Sequence, residues 1–236
     1  MRKILIGLLA LGYALSAAEV YATFTVEAEK NAMLAFDAGG IVKAVNYEVA
    51  SSVNKGAVLA SLANDDIKAS LETAKTSLKF AQKDYERQLK VKDLIDEGKF
   101  DQYAFKYENA KNQLAFAQAK YDKTFLRAPF DGVIYAEDIE VGDTVSGMML
   151  KTVFKIQSKS KRKLIISFDQ KYHKSVKVGQ TFTYKVDGDT TEYKGTIAKV
   201  YPFANSGNRK IEAEVKADGF IVGLFGEGYI TVPDAK

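Results

Sequence analysis

Apolar and polar positions alternate one for one from Val20 to Glu27. Val20, Ala22, Phe24 and Val26 fall on one face, and Tyr21, Thr23, Thr25 and Glu27 on the other. A period of two predicts a half-buried strand. From Leu34 to about Asn64, short β-branched runs punctuated by glycines predict a first small β unit. Residues 65–125 then change period. Ile67, Leu71, Ala74, Leu78, Ala81 and Tyr85 step by four and three, and Tyr103, Tyr107, Ala110, Leu114, Ala117 and Tyr121 do the same. That is the seam spacing of a coiled coil. The stretch has one glycine, Gly98, and no proline. Gly98 is read as the break between two helices, with Asn64 or Asp65 capping the first and Asp101 capping the second. A short break makes the pair an antiparallel hairpin. Gln88 and Lys92 weaken the seam toward its tip. Phe80, Phe105 and Phe116 lie off the seam, either as exposed singletons or as contacts to neighbouring subunits.

The two β segments flanking the hairpin repeat one pattern, ninety-two positions apart. Gly40-Ile41-Val42, Val49, Val53, Gly56 and Leu59 return as Gly132-Val133-Ile134, Val141, Val145, Gly147 and Leu150. Ala44 and Glu48 return as Ala136 and Glu140. Each copy is too short to bury its own apolar face, so the two must pack on each other. The hairpin must therefore leave and return at one place. Gly132 is expected to need the absence of a Cβ.

Strand signals resume at Leu164–Phe168, Val176–Gln180, Thr181–Val186, Tyr193–Val200, Ile211–Val215 and Tyr229–Val232. Short strands joined by Gly and Asp turns predict a small β-barrel. The fold class is therefore multi-module α+β. It combines a β-sandwich from two half-motifs, a coiled-coil hairpin inserted between them, and a barrel. The boundaries read as a signal at 1–18, sandwich halves at 34–64 and 126–157, hairpin at 65–125, and barrel at 19–33 with 158–233.

The N-terminus carries Arg2 and Lys3, an apolar run from Ile4 to Leu15, and small Ser16-Ala17-Ala18. This reads as an export signal cleaved near Ala18, with retention as an anchor as the alternative. The run is shorter than the roughly 20 residues of a spanning helix. The chain has no cysteine, so it is held together without disulfides and bears no lipid on Cys. Formal charge is +4, or +2 without Arg2 and Lys3, too weak to argue for nucleic acid. The basic run Lys159–Lys163 is expected to be a solvated linker.

Leu126-Arg127-Ala128-Pro129-Phe130-Asp131-Gly132-Val133-Ile134, directly after the hairpin, resembles the periplasmic adaptor or membrane fusion protein family (HlyD-like) of tripartite efflux pumps. Val178-Gly179-Gln180, Tyr193–Ile197, Val200-Tyr201-Pro202, Asn208–Ile211 and the Gly226/Gly228 segment extend the resemblance into the barrel. It covers nearly all of the chain after the signal. The resemblance implies that the two β segments are halves of a lipoyl-like domain. It makes Gly40, Val49, Val53, Gly56, Pro129, Gly132, Val141, Val145 and Gly147 their structural positions. It implies an inner-membrane exporter of the resistance-nodulation-division (RND) type and a TolC-like outer-membrane channel as partners. It further implies self-association into a ring, a hexamer or a trimer of dimers. The place of action would be the periplasm, associated with the inner membrane through the transporter complex. An adaptor for an ABC-type exporter or type I protein secretion is the alternative.

Many members carry Arg at the hairpin tip, Leu four residues on, and Ser seven after that. Here these positions are Lys90, Leu94 and Asp101, which the resemblance makes the channel-docking set. Lys keeps the charge of Arg without its planar fork. Asp keeps the capping oxygen of Ser. Many members also have a membrane-proximal domain built from both chain ends, and this chain reads as a short form lacking most of it. Contact with the inner-membrane partner would then fall mainly to the barrel.

No cofactor is expected. Met148-Met149-Leu150-Lys151 superficially resembles a biotin site, but Lys151 is placed opposite Ala60 of the first copy, and a carrier's Lys sits on the turn between the halves. His173 is the only His and lies in a polar loop, so neither a multi-His metal site nor a catalytic triad is expected. Asp187-Gly188-Asp189 lacks the remaining ligands of a calcium loop, and no phosphate-cradling Gly-Lys-Ser/Thr motif occurs. Met33 and the Met148-Met149 pair are too few for methionine-based metal handling. The chain is read as a structural coupling element, not an enzyme.

Overall fold

The computed structural model describes residues 17–149 and 151–233. They form two compact units, Lys30–Lys159 and the chain on either side of it. Strand β1 (Ala17–Ala28) belongs to the outer unit. The inner unit runs β2 (Asn31–Leu34), β3 (Gly40–Val45), β4 (Ser52–Val53), β5 (Val58–Leu62), helix α1 (Asp65–Leu89), helix α2 (Glu97–Asp122), β6 (Phe125–Arg127), β7 (Gly132–Glu137), β8 (Thr144–Val145) and β9 (Phe154–Ser158). The outer unit resumes with β10 (Lys161–Asp169), β11 (Thr181–Val186), β12 (Tyr193–Asn205), β13 (Lys210–Asp218) and β14 (Phe225–Pro233).

The outer unit closes into a barrel of order β1-β10-β13-β12-β11-β14. Closure leaves no strand edge to pair with another chain. The alternation of β1 places Val20, Ala22, Phe24 and Val26 inside, all buried. Phe24 meets Phe182 and Tyr184 edge-on, at 5.9 and 5.3 Å between ring centroids. Such edge-to-face pairs suit the ring quadrupoles.

Three sequence expectations change here. Val176–Gln180 forms no strand; a 3-10 turn at Gln170–Tyr172 and a loop lead into β11 instead. The run Lys159–Lys163 is not a linker, because β10 begins at Lys161. Arg162 is buried and its Nε donates to the Phe220 carbonyl at 2.7 Å, while Lys163 pairs with Glu27 at 3.2 Å. Finally, β1 begins at Ala17, ahead of the alternation that starts at Val20. The rest of the signal segment lies outside the described residues.

The inner unit is a sandwich of two four-stranded sheets, β2-β9-β7-β4 and β6-β5-β3-β8. The repeat explains their construction. Gly40 pairs with Val145, and its equivalent Gly132 pairs with Val53. Each half thus lends a two-residue strand to the other half's sheet. The bonds are reciprocal too. Val42 donates its amide to the Asp143 carbonyl at 2.8 Å, and Ile134 to that of Ser51 at 3.1 Å. Leu59, Ile134, Phe154 and Ile156 are fully enclosed between the sheets. Residues 31–33, expected with the barrel, pair in this sandwich, since Asn31 faces Gln157.

At one position the two halves share a left-handed backbone but carry different residues. Gly142 has φ of 97°, and its repeat equivalent Ala50 has φ of 71°. A Cβ disfavours that left-handed conformation. Ala50→Gly is therefore expected to stabilise the protein by roughly 0.5–1 kcal/mol, the relief of strain exceeding the entropy gained by the unfolded chain. Urea unfolding would show this as a higher midpoint at unchanged slope; an equal or lower midpoint would contradict it.

Candidate functional site

The hairpin is the inner unit's projecting element. Every predicted seam position is buried or half-buried, from Ile67 to Tyr85 and from Tyr103 to Tyr121. Tyr85 and Tyr107 stack with centroids 5.3 Å apart and planes 9° from parallel. Alanines at 110 and 117 are buried, so small residues let the helices approach. The base is tied by Asn64, whose Nδ2 donates to the Thr124 Oγ1 at 2.8 Å. Asn64 occupies the cap position of α1 but its side chain does not bond a free helix amide, because it is spent on this clasp.

The tip departs from expectation. The first helix ends at Leu89, and one 3-10 turn, Lys92–Leu94, reverses the chain. Asp96, not Asp101, caps α2: its Oδ1 accepts from the Lys99 amide at 3.1 Å. Gly98 breaks nothing and sits in the first turn of that helix. Asp101 is an exposed residue one turn inside. The seam also reaches further than its spacing indicated. Phe100 is buried against Tyr85, centroids 5.6 Å apart, and Lys92 places its Nζ 5.1 Å from the Phe100 ring centre. A Phe at the tip, three residues before Tyr103, was the available signal for this plug. Asp96→Ala is expected to cost about 1 kcal/mol at the helix start, whereas Asp101→Ala changes stability by under about 0.5 kcal/mol. Hydrogen exchange at the Lys99 amide would separate the two; equal protection in both variants would refute the assignment.

Lys90 follows the last residue of α1 and is exposed. Leu94 is 85% exposed on the reversal. Lys90, Leu94 and Asp101 thus sit at one end of the hairpin, and among the described residues none of the three side chains makes a hydrogen bond or ion pair within the fold. Phe80, Phe105 and Phe116 are exposed along the arms, with the Lys120 Nζ 4.9 Å from the Phe116 ring centre.

Of the half-motif residues, Val53 is buried and Val145 half-buried, whereas Val49 and Val141 are both exposed. Gly56 takes φ of 84° in open space. Gly147, aligned with it in the repeat, serves closeness instead: a Cβ there would lie 2.7 Å from the Asp37 carbonyl oxygen. A Cβ on Gly132 would lie 2.5 Å from the Gln157 oxygen, in a strand and not a turn. Pro129 is exposed, and beside it Ala128 exchanges backbone bonds with Gly56 and Ala57. Asp131, which spacing did not single out, accepts from the Lys55 amide at 2.7 Å and joins the two halves.

The sandwich offers little chemistry. Val45 faces Ala60 and its equivalent Glu137 faces Phe154, so Ala60 matches Phe154 and not Lys151. Lys151 instead pairs with Asp138 at 3.0 Å. Partial burial raises the Glu137 carboxyl above its ordinary range, helped by the charges of Glu48 and Glu140. Among the described residues, no three His, Cys, Asp or Glu side chains converge to hold a metal. The His173 ring is exposed, with Nδ1 3.1 Å from the Gln170 carbonyl. No helix among the described residues is long and apolar enough to cross a membrane.

Comparison with known proteins agrees with this architecture. The family profile described as CzcB-like, barrel-sandwich hybrid domain matches residues 30–157. No curated protein sequence matches. Among solved structures, a MacA–MexA chimera carrying the Pseudomonas aeruginosa MexA α-hairpin superposes with a TM-score of 0.84 at 20% identity, over 94% of this chain and 84% of that one. MacA from Actinobacillus actinomycetemcomitans gives 0.75 at 18%, over 94% and 80%. The membrane fusion protein Spr0693 from Streptococcus pneumoniae R6 gives 0.72 at 14%, over 92% and 100%. At such identities the likeness is one of fold.

Proposed function

The chain belongs to the membrane fusion protein family through its CzcB-like barrel-sandwich hybrid domain, and from that membership we propose that it is the periplasmic adaptor of a tripartite efflux pump. In this reading the sandwich and barrel form the collar on an inner-membrane exporter of the RND type. The hairpin reaches outward, and its tip docks on an outer-membrane channel. Copies assemble head to tail into a closed ring, so two different faces of each subunit must match. The work is structural: the chain holds a conduit together and does no bond chemistry.

The observation that carries the reading is Leu94. It stands 85% exposed on a tight reversal whose fold is already secured by Phe100 and Asp96. An apolar side chain there does nothing for stability, and it fits a partner that covers it. A photo-crosslinking residue at 94, and separately at 101, should capture an outer-membrane channel in intact cells. Capture of no outer-membrane protein at either position would sink the docking claim. A deletion strain tests the cargo. Sensitivity to small toxic solutes supports efflux, and loss of one secreted protein points to the protein-secretion alternative.

A further inference from the structure

One end of the barrel is capped by two loops that carry cations and no carboxylate. The six strands alternate in direction, so the register defines which loops share an end. β10 stops at Asp169 opposite Lys210, where β13 starts, and β12 stops at Asn205 opposite the same residue. Ala17, the start of β1, pairs with Pro233, the end of β14. Two loops cap this end, 170–180 and 206–209. They contain Lys171, His173, Lys174, Lys177 and Arg209, with Lys210 adjoining, and no Asp or Glu. The backbone joins them, since the Gln170 amide donates to the Arg209 carbonyl at 3.0 Å. At the other end the loop 187–192 carries Asp187, Asp189 and Glu192. The capping loops 170–180 and 187–192 therefore differ in the sign of their charge.

These cations make no ion pair among the described residues, although the Lys171 Nζ lies 4.9 Å from the Tyr172 ring centre. Lys171, Lys174, Lys177 and Arg209 are exposed, and none of them has a carboxylate within ion-pairing distance among the described residues. The nearest acids by register are Asp169, Glu19 and Glu212. Asp169 is engaged, accepting from the Lys171 amide at 2.9 Å. Apolar groups are interleaved with the charges. Phe203 is 70% and Val178 61% exposed. Between Val200 and Ala204 the register of β12 on β13 shifts, and Pro202 and Phe203 within that interruption are exposed. Beside it lies a groove of about 620 Å³, walled by Val200, Pro202, Phe203 and Ile211 and rimmed by Lys171 and His173.

We propose that this barrel end docks on an anionic phospholipid surface. Lysines and an arginine meet the headgroup phosphates, and Phe203 with Val178 enters the boundary above the acyl chains. Two observations favour a bilayer over an acidic protein face. The first is that cations making no ion pair are mixed with the exposed side chains of Phe203 and Val178, which suits a charged interface with an apolar interior. The second is the course of the chain. β1 starts at this same end with Ala17, directly after the apolar run Ile4–Leu15 that begins with Arg2 and Lys3. The proposal is independent of the docking role of the hairpin tip and of the pump type.

The test is co-sedimentation of the full chain with vesicles. One set contains phosphatidylglycerol in phosphatidylethanolamine and the other phosphatidylcholine alone. Partitioning should be about tenfold or more stronger on the anionic set at low salt, and high salt should abolish the difference. The variant Lys171→Glu/Lys174→Glu/Lys177→Glu should lose that difference, and Phe203→Ser should weaken anionic binding at unchanged charge. Circular dichroism on both variants guards against misfolding. Binding by the N-terminal apolar run alone would appear equally on both vesicle sets. Equal partitioning, or a charge-reversed variant that still prefers anionic vesicles, overturns the proposal. So does crosslinking from position 171 to a transporter protein with no lipid preference in the vesicle assay.

Discussion

Gly132→Val is expected to destabilise the inner unit by about 3–5 kcal/mol, a large part of the usual stability of a domain this size. The side chain would not meet a flexible neighbour. Its Cβ would lie 2.5 Å from the Gln157 carbonyl oxygen and 2.8 Å from Cγ1 of Ile156, which is itself fully enclosed. To make room, β7 must move from β9, and the bonded pairs from Gly132–Ser158 to Ile134–Ile156 move with it. The lent strand β4 is attached at the same point, because Val53 pairs with Gly132. Overpacking of one site thus loosens the joint between the two halves. The repeat supplies its own control. A Cβ on Gly40 would rest 3.5 Å from the Leu62 side chain, an ordinary contact. Gly40→Ala should therefore stay within about 1 kcal/mol of the parent. Urea unfolding of both variants checks the pair. Similar losses at Gly40 and Gly132 would show that the close approach to β9 is not the cause.

That contrast also marks where the sequence stops being legible. The alternation of Val20 to Glu27 and the two seam stripes each report a single periodicity, and one periodicity determines one buried face. They were readable because the information is local. The exchange of β4 and β8 is not local. Two-residue strands carry no period, and their partners lie far along the chain, Val53 on Gly132 and Val145 on Gly40. Aligned residues then diverge in task. Gly56 is there for its φ and Gly147 for its missing Cβ, although the same letter stands at both places. Val49 and Val141 keep the repeat and yet face solvent.

The tip is illegible for a different reason. Glycine reads as a breaker in sequence, but a helix tolerates it in the first turn, where few amides have intrahelical partners to lose. The stronger signal was Asp96 three residues before Lys99, a side-chain oxygen placed for a free amide. Phe100 could not be placed by the heptads alone, since it lies beyond the point where Gln88 and Lys92 dilute the stripe. The candidate docking residues were named by resemblance, and only their exposure and place on the reversal come from the fold.

Leu94→Asp is expected to abolish transport in cells while leaving the isolated protein as stable as its parent. The side chain is 85% exposed, so the change in folding stability should be under about 0.5 kcal/mol, near the limit of a thermal scan. Docking is another matter. If the channel covers this position, the variant must bury a carboxylate with no partner in place of an apolar anchor. That penalty exceeds the few kcal/mol carried by a typical central contact. Lys90→Ala should be milder, because a charge at the rim changes the rate of encounter more than the lifetime of the complex. Resistance to transported solutes, read as a minimum inhibitory concentration, should fall to the level of the deletion for Leu94→Asp and only partway for Lys90→Ala. Immunoblots should show all three proteins at equal abundance. A Leu94→Asp strain that resists solutes like the parent would move the docking surface off the reversal. The exposed arm aromatics Phe80, Phe105 and Phe116 would then be the next positions to substitute.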